Sequence, residues 1–214
     1  MNFLKTILCS FLLATSATAI AEPVLKTGNF LTSPKHFNGF EAIPNNGIFF
    51  TGGAGPYAEG GITVTQYQAD PGNDIWVTLG GIEGERSWYP NGGDSGYTGI
   101  ALTSGADFSD ISFLFRAYGL GGLQYSLLND GVQVLGGVYS ADGGELSRVG
   151  FSGGGFDQLF VRSGTEGTIG DRRGQALQLD SIAAGMVAIP EPATLALLGL
   201  GLAGLMARRR KSLK

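Results

Sequence analysis

Between residues 47 and 182, short apolar runs alternate with glycine-rich breaks. In residues 111–118 every second position is apolar, which predicts a strand with one buried face. The predicted buried set is Ile111, Phe113, Phe115 and Ala117, and the intervening set is Ser112, Leu114, Arg116 and Tyr118. Eleven runs are predicted strands: 47–51, 61–67, 74–79, 87–89, 98–103, 111–118, 122–128, 132–139, 145–151, 156–162 and 176–182.

No stretch before residue 190 has the periodicity of a convincing amphipathic helix. Residues Asn129-Asp130-Gly131 separate two predicted strands, and Asp-Gly accepts the positive φ angles of a tight hairpin turn. Many short strands separated by turn residues predict an all-β fold, a two-sheet jelly-roll-like β-sandwich.

The two ends of the chain have a different pattern. Residues 1–21 combine Lys5, an apolar stretch and small residues before Glu22, which predicts a secretory signal peptide. Both Ala19 and Ala21 satisfy the small-x-small rule for cleavage, and cleavage after Ala21 is favoured.

The C-terminal tail has three consecutive parts. Pro190, Glu191 and Pro192 form a rigid, extended segment, because proline fixes φ and lacks an N–H donor. Residues 193–207 carry no charge and predict a single short transmembrane helix of roughly 22 Å, less than the hydrocarbon thickness of a bilayer. A basic cluster follows and predicts a cytoplasmic end for this helix: Arg208, Arg209, Arg210 and Lys211.

In its order of parts, this tail resembles the PEP-CTERM sorting signal of Gram-negative bacteria, with Pro190-Glu191-Pro192 as the signature. The resemblance implies that an exosortase, a membrane enzyme, recognises and processes the tail. An ordinary membrane anchor is the alternative. The predicted organisation is a signal peptide at 1–21, a β-sandwich ectodomain at 22–187 and a sorting segment at 188–214.

The ectodomain is also similar to the β-sandwiches that precede this signal in many PEP-CTERM proteins. Residues 37–41, with the sequence Phe-Asn-Gly-Phe-Glu, and residues 57–64, with the pattern Tyr-x-Glu-x-Gly-Ile-x-Val, are typical of the group. The final strands 156–161 and 177–182 are similar as well. The group has no settled biochemical activity, so this similarity concerns the fold.

Composition excludes several function classes. Cys9, within the signal peptide, is the only cysteine of 214 residues, so the mature chain has no disulfide and no cysteine-based metal site or nucleophile. The ectodomain has eight basic and 17 acidic residues and a net charge of −9. A domain this acidic is a poor partner for nucleic acid, which requires clustered Lys and Arg.

Enzymatic motifs are present only as fragments. Gly93-Asp94-Ser95-Gly96 is similar to the nucleophile turn of trypsin-like proteases, but His36 is the only histidine and lacks the surroundings of a catalytic base. Glu83 and Glu85 are two residues apart, as in a glycosidase carboxylate pair, but their glycine-rich surroundings predict a turn. We therefore predict no catalytic residues.

A calcium site is a weaker prediction, and no other cofactor is expected. Asp70, Asn73 and Asp74 place three oxygen-bearing side chains in one tight loop, which suits a hard cation. Asp107 and Asp110 are further candidate ligands. Because Asp and Asn are also common turn residues, a plain turn is the alternative.

Several aromatic residues are candidates for stacking on sugars. The candidates are Trp76, Trp88, Tyr89, Tyr97 and Tyr118. We expect the segment 88–93 to be an exposed aromatic loop in which Trp88 and Tyr89 contact glycan, whereas Trp76 is expected in the core because its neighbours are apolar.

The sequence as a whole favours an exported, non-enzymatic component of the cell envelope or biofilm matrix, sorted by an exosortase. Its ectodomain is expected in the periplasm, anchored at the inner membrane, before transfer to the surface or medium. The alternative is a carbohydrate-binding module that tethers exopolysaccharide at the cell surface.

Overall fold

The computed structural model describes residues 21–43, 48–51, 56–67, 74–77, 82–90, 96–117, 122–141, 144–164 and 177–187. Within these ranges the chain forms strands and turns only, as predicted. The strands are β1 (Val24–Thr27), β2 (His36–Asn38), β3 (Ile48–Thr51), β4 (Tyr57–Glu59), β5 (Ile62–Tyr67), β6 (Asp74–Val77), β7 (Trp88–Pro90), β8 (Tyr97–Leu102), β9 (Phe108–Ala117), β10 (Gly122–Asn129), β11 (Val132–Ser140), β12 (Leu146–Phe156), β13 (Gln158–Ser163) and β14 (Leu177–Met186).

The strands form two antiparallel sheets. The eight-stranded sheet has the order β1-β12-β9-β14-β7-β6-β3, with β2 also paired to β14. The six-stranded sheet has the order β11-β10-β13-β8-β5-β4. The predicted hairpin between β10 and β11 is confirmed, because Asn129 pairs with Val132 and both Asp130 and Gly131 have positive φ. Jelly-roll connectivity stays a prediction.

One hydrophobic core lies between the two sheets. Ring contacts join them directly: Tyr125 of β10 lies 4.9 Å from Phe151 of β12, and Phe115 of β9 lies 6.0 Å from Tyr139 of β11. The predicted buried set of β9 is confirmed, since Ile111, Phe113, Phe115 and Ala117 are all at most 1% exposed. Two facing sheets with a shared apolar interior form the sandwich.

The outer face of the eight-stranded sheet is also partly covered. Ser112 and Leu114, which point away from the core, are 1% and 5% exposed, so the predicted half-buried pattern of β9 is incomplete. The segment 82–86 lies over this face, because the Glu83 N–H donates to Asp180 of β14 and the Glu83 carboxylate pairs with Arg148 of β12.

Strand β14 changes partner along its length. Leu179 pairs with Trp88 of β7, whereas Ile182–Ala184 pair with β2. Between them the register shifts, and Ser181 has a φ of 47°. A left-handed residue bends the strand, so one edge of β14 accommodates two short strands.

Candidate functional site

The two family-like segments of the sequence meet in one corner of the sandwich. The β4–β5 hairpin turns at Gly60 and Gly61, both with positive φ, and β2 packs directly onto this turn. A Cβ atom at Gly60 would overlap the Phe37 carbonyl oxygen, and one at Gly61 would overlap the His36 ring. Both glycines are therefore required by close approach as well as by φ.

Asn38 joins the two segments from a fully buried position. Its side-chain oxygen accepts the Phe40 N–H at 3.0 Å, and its amide nitrogen donates to the Ile62 carbonyl at 3.2 Å. These bonds hold Phe40 at a φ of 62°. The Phe40 ring then packs against Tyr57 and Trp88, with centroid distances of 5.9 and 6.0 Å.

Glu59 and Glu41 act as acceptors for loop N–H groups. Glu59 accepts from Gly39 at 3.3 Å and from Ala42 at 3.2 Å, and the Tyr57 hydroxyl donates to it. Burial, together with this bond to Glu59, raises the pKa of Tyr57. Glu41 accepts from the N–H groups of Glu85 and Arg86. The corner thus ties three separate segments together.

Asp180 of β14 is fully buried and anchors the segment 82–86. Its carboxylate accepts the N–H groups of Glu83 at 2.8 Å and Ser181 at 2.6 Å, and it is also bonded by the Ile82 N–H. Burial raises the pKa of Asp180 to about 6, against the lowering effect of these donors.

The Glu83 and Glu85 pair does not form an isolated carboxylate site. The Glu83 carboxylate lies 3.2 Å from Arg148. The backbone N–H groups of Glu83 and Glu85 donate to Asp180 and Glu41 and hold the segment 82–86 in place. These contacts give the stretch a structural role. His36 lies in β2, and its Nε2 is buried without a hydrogen-bond partner among the described residues. Asp94 and Ser95 lie outside the described residues.

Trp88 is not on an exposed loop, and the prediction that it contacts glycan is wrong. It lies in β7, is 0% exposed and packs on Phe40 in the core. The error has a physical cause, because the Phe40 ring that packs on Trp88 and the strand β14 that pairs with β7 both come from distant parts of the chain. Tyr89, on the opposite side of β7, is half-buried and stays a candidate contact.

A different set of aromatic residues lies on the outer surface of the six-stranded sheet. Tyr67, Tyr97 and Phe160, on β5, β8 and β13, form a cluster that we call the aromatic face. The Tyr67 and Tyr97 rings stack at 5.4 Å and 16°. Phe160 is nearly perpendicular to both, with centroid distances of 5.7 and 5.0 Å. Tyr67 is 41% exposed.

Polar and small residues surround the aromatic face. A groove of about 100 Å³ is lined by Tyr67 and Phe160 together with Thr63, Thr65, Gly99 and Gln158. Burial and the neighbouring Tyr67 raise the pKa of Tyr97, so its hydroxyl stays protonated at neutral pH.

Tyr97 was among the sequence candidates, but Tyr67 and Phe160 were missed. Strand alternation would have found them, since Tyr67 follows Thr63 and Thr65 and Phe160 lies between Leu159 and Val161.

Asp107 lies near two other aspartates, Asp130 and Asp157. Burial and the charges of Asp157 and Asp130 raise the pKa of Asp107. Asp110 lines another groove, with Lys35 and Ser109. In the part of the chain that the structure describes, no group of three or more His, Cys, Asp or Glu side chains is arranged to hold a metal ion.

The remaining predicted site residues are only partly within the described ranges. Asp74 begins β6, but Asp70 and Asn73 lie outside those ranges, so the calcium prediction is untested there. Pro190, Glu191, Pro192 and the cluster Arg208–Lys211 also lie outside, as do the signal peptide and the apolar stretch. No helix in the described ranges is long and apolar enough to cross a membrane.

The tail itself has a match among known families. The family model described as the PEP-CTERM protein-sorting motif matches residues 188–211. The chain carries a PEP-CTERM sorting motif. The match confirms the resemblance seen in the tail, and it does not extend into the sandwich. A PEP-CTERM motif implies export and exosortase-related sorting through a membrane-anchored signal. No curated protein matches the chain.

Two solved structures have some similarity to this chain. One is the CBM51 from Clostridium perfringens GH95 in complex with methyl-galactose, at 14% identity and a TM-score of 0.26, covering 61% of this chain and 91% of that one. The other is the isomalto-dextranase of Arthrobacter globiformis T6 complexed with panose, at 12% identity and a TM-score of 0.28, covering 77% and 33%. TM-scores this low carry no argument about the function of this chain.

Proposed function

We propose that the protein is an exported, non-enzymatic component of the cell envelope or extracellular matrix of a Gram-negative bacterium. The observation that carries the proposal is the PEP-CTERM motif at residues 188–211. In this proposal a signal peptide directs export and is removed after Ala19 or Ala21. The ectodomain is then held in the periplasm until an exosortase transfers it to the surface or the medium.

Each part of the tail has a separate role in this proposal. Pro190-Glu191-Pro192 is the segment that the exosortase recognises, because proline fixes φ and lacks an N–H donor and so disfavours helix or sheet pairing there. The apolar stretch 193–207 forms a short membrane helix that places this segment at the bilayer surface. The cluster Arg208–Lys211 keeps the C-terminus cytoplasmic.

The contacts of the acidic residues support a non-enzymatic role. Glu41, Glu59 and Asp180 each accept backbone N–H groups from loops, and Glu83 pairs with Arg148. Such bonds give these four carboxylates a role in holding loops and strands in place. These four of the 17 acidic residues of the ectodomain therefore serve the fold.

Tail variants in the native host test this proposal. Glu191→Gln, and separately the replacement of Arg208, Arg209 and Arg210 by Ala, should leave export intact while a full-length precursor accumulates. Immunoblots of membrane and secreted fractions measure the ratio of precursor to mature protein. Glu145→Gln, at an exposed acidic position of the sandwich, is the matched control and should mature normally. Normal maturation of both tail variants would contradict the proposal.

A carbohydrate-binding ectodomain is the second candidate function. With Trp88 in the core, it is favoured by another observation, the partly exposed aromatic face of the six-stranded sheet.

A further inference from the structure

We propose that the aromatic face binds a neutral polysaccharide, with Tyr67, Tyr97 and Phe160 stacking on its pyranose rings. The inference deepens the proposed matrix function by naming a partner class and the surface that contacts it. It rests on the proposed function for its biological setting, whereas the binding itself depends on the sandwich and can be tested separately.

The position of the rings supports binding rather than core packing. In an antiparallel sandwich, large aromatic residues contribute most when they face the interior, as Phe113 and Phe151 do. Tyr67 points outward and is 41% exposed, although it stacks on Tyr97. Phe160 stands nearly perpendicular to both tyrosines, at 79° and 75°. The three rings therefore give a ligand two apolar walls at about a right angle.

Gly99 of β8 forms the base of this surface. A Cβ atom there would lie 2.6 Å from the Tyr67 ring and 2.9 Å from the Phe160 ring. Real Cβ atoms do not approach other heavy atoms this closely, so any side chain at position 99 would push the rings apart. The absence of a side chain lets Tyr67 and Phe160 lie close over the strand, and the aromatic face is held in one arrangement before a ligand arrives.

The chemistry of the surrounding residues indicates a neutral sugar. The residues that line the groove carry no charge, so they offer nothing to a phosphate, sulfate or uronate group. Thr63, Thr65 and Gln158 provide hydroxyl and amide groups beside the rings. A pyranose has an apolar C–H face bordered by hydroxyl groups, which matches an apolar ring surface bordered by hydrogen-bonding side chains.

The groove is too small to enclose a small molecule. Sites that enclose a small molecule are typically several hundred Å³ in volume, whereas this groove holds about 100 Å³. A shallow surface of this kind contacts a polymer from the side. We therefore infer lateral binding to a polysaccharide chain, with one sugar unit on the rings at a time.

Affinity electrophoresis tests the proposal with the full-length protein purified in detergent. The native gels contain dextran, galactomannan or xyloglucan as neutral probes and alginate as an anionic probe. At least one neutral polysaccharide should retard the wild-type protein, and alginate should not. Tyr67→Ala should weaken this retardation by roughly three- to tenfold, since aromatic contacts of this type contribute on that scale.

Further variants separate stacking from folding. Tyr67→Leu keeps apolar bulk on β5 and should bind as weakly as Tyr67→Ala, whereas Tyr67→Phe keeps the ring and should bind like the wild type. Gly99→Ala should also weaken binding, because it displaces both rings. Phe37→Ala is the matched control, since Phe37 is a 51% exposed aromatic residue of the other sheet and should leave retardation unchanged.

Three outcomes would overturn the inference: no retardation by any of the neutral polysaccharides, retardation by alginate alone, or unchanged retardation of both Tyr67→Leu and Gly99→Ala. None of these outcomes depends on the tail. A failure here therefore leaves the sorting proposal standing, and normal maturation of the Glu191 and Arg208–Arg210 variants would leave this one standing.

Discussion

Several carboxylates of this acidic ectodomain stabilise the fold as hydrogen-bond acceptors, which the net charge alone does not show. Glu41, Glu59 and Asp180 each accept two or more backbone N–H groups from loops that cross the sandwich. A hydrogen bond to an ionised group contributes about 1.5–3 kcal/mol, more than a neutral one. Some of the acidic residues are thus needed for the fold itself.

Asp180 should make stability depend on pH. Its pKa of about 6 in the folded state lies above the value of roughly 3.9 in an unfolded chain. Between these values the folded protein keeps a proton that the unfolded chain has lost, so the contribution of Asp180 to stability falls as pH rises from 4 through 6. The free energy of unfolding of the wild type, relative to Asp180→Asn, should drop by about 2 kcal/mol between pH 4 and pH 7.

Urea denaturation at a series of pH values measures this difference. Glu145→Gln, which removes an exposed carboxylate, is the control and should stay parallel to the wild type. If the difference between wild type and Asp180→Asn were constant from pH 4 to pH 7, Asp180 would not titrate in this range.

Trp88 and Tyr89 should differ sharply in their effect on stability. Trp88 is fully buried and packs on Phe40, so Trp88→Ala should lower the free energy of unfolding by about 3–5 kcal/mol. Tyr89 is half-buried, and Tyr89→Ala should cost about 1 kcal/mol. Equal losses in the two variants, measured by denaturant titration, would place Trp88 outside the core.

For single residues, the alternation of apolar and polar positions predicts which side chains are buried better in long strands than in short ones. The buried set of β9 was predicted because four apolar positions repeat with the same period. Strand β7 has three residues, so alternation cannot tell which of Trp88 and Tyr89 faces inward. The answer depends on Phe40, which lies nearly 50 positions away. The structural role of Asp180 was not predictable for the same reason.

Among the elements, the β4–β5 hairpin shows why the family-like segments have their glycines. Gly60 and Gly61 supply the positive φ angles of a two-residue turn, and β2 lies against them without space for a Cβ atom. The two segments are therefore one structural unit, although 15 positions separate them.

Replacing Gly60 should be more harmful than replacing a glycine with the same backbone conformation in open space. Gly60→Ala combines positive-φ strain with overlap on the Phe37 carbonyl and should cost more than about 2 kcal/mol. Gly105 has a φ of 72° with no atom near its missing Cβ, so Gly105→Ala should cost only about 1 kcal/mol. Comparable midpoints for the two variants in urea would show that β2 does not press on the turn.

All eleven predicted strands overlap observed ones, but their boundaries and the shortest elements were less predictable. The strands β1, β2 and β4 were not predicted as separate strands, because three or four residues contain too little of a period-two pattern. Strand β12 continues through Gly153, Gly154 and Gly155, all with positive φ, into Phe156. The bend of β14 at Ser181 has no sequence signal and follows from accommodating both β2 and β7.

For the whole molecule, the two parts that we connect to function are separate in the sequence. The sorting motif occupies residues 188–211, whereas the aromatic face belongs to the six-stranded sheet of the sandwich. The tail was predictable because its three parts are contiguous. Alternation marks Tyr67 and Phe160 as outward-facing residues one by one, but their assembly with Tyr97 into one face depends on the pairing of three strands, which only the fold reveals.

The intact mass of the protein from its native host tests the central claim most directly. We expect mature protein in the envelope or the medium with a mass that begins after Ala19 or Ala21 and ends near residues 189–192, with or without an added group. That result would make the PEP-CTERM tail a processing signal. If the protein is found only in the membrane fraction and still carries residues 208–214, the tail is a plain anchor. That result would contradict the account.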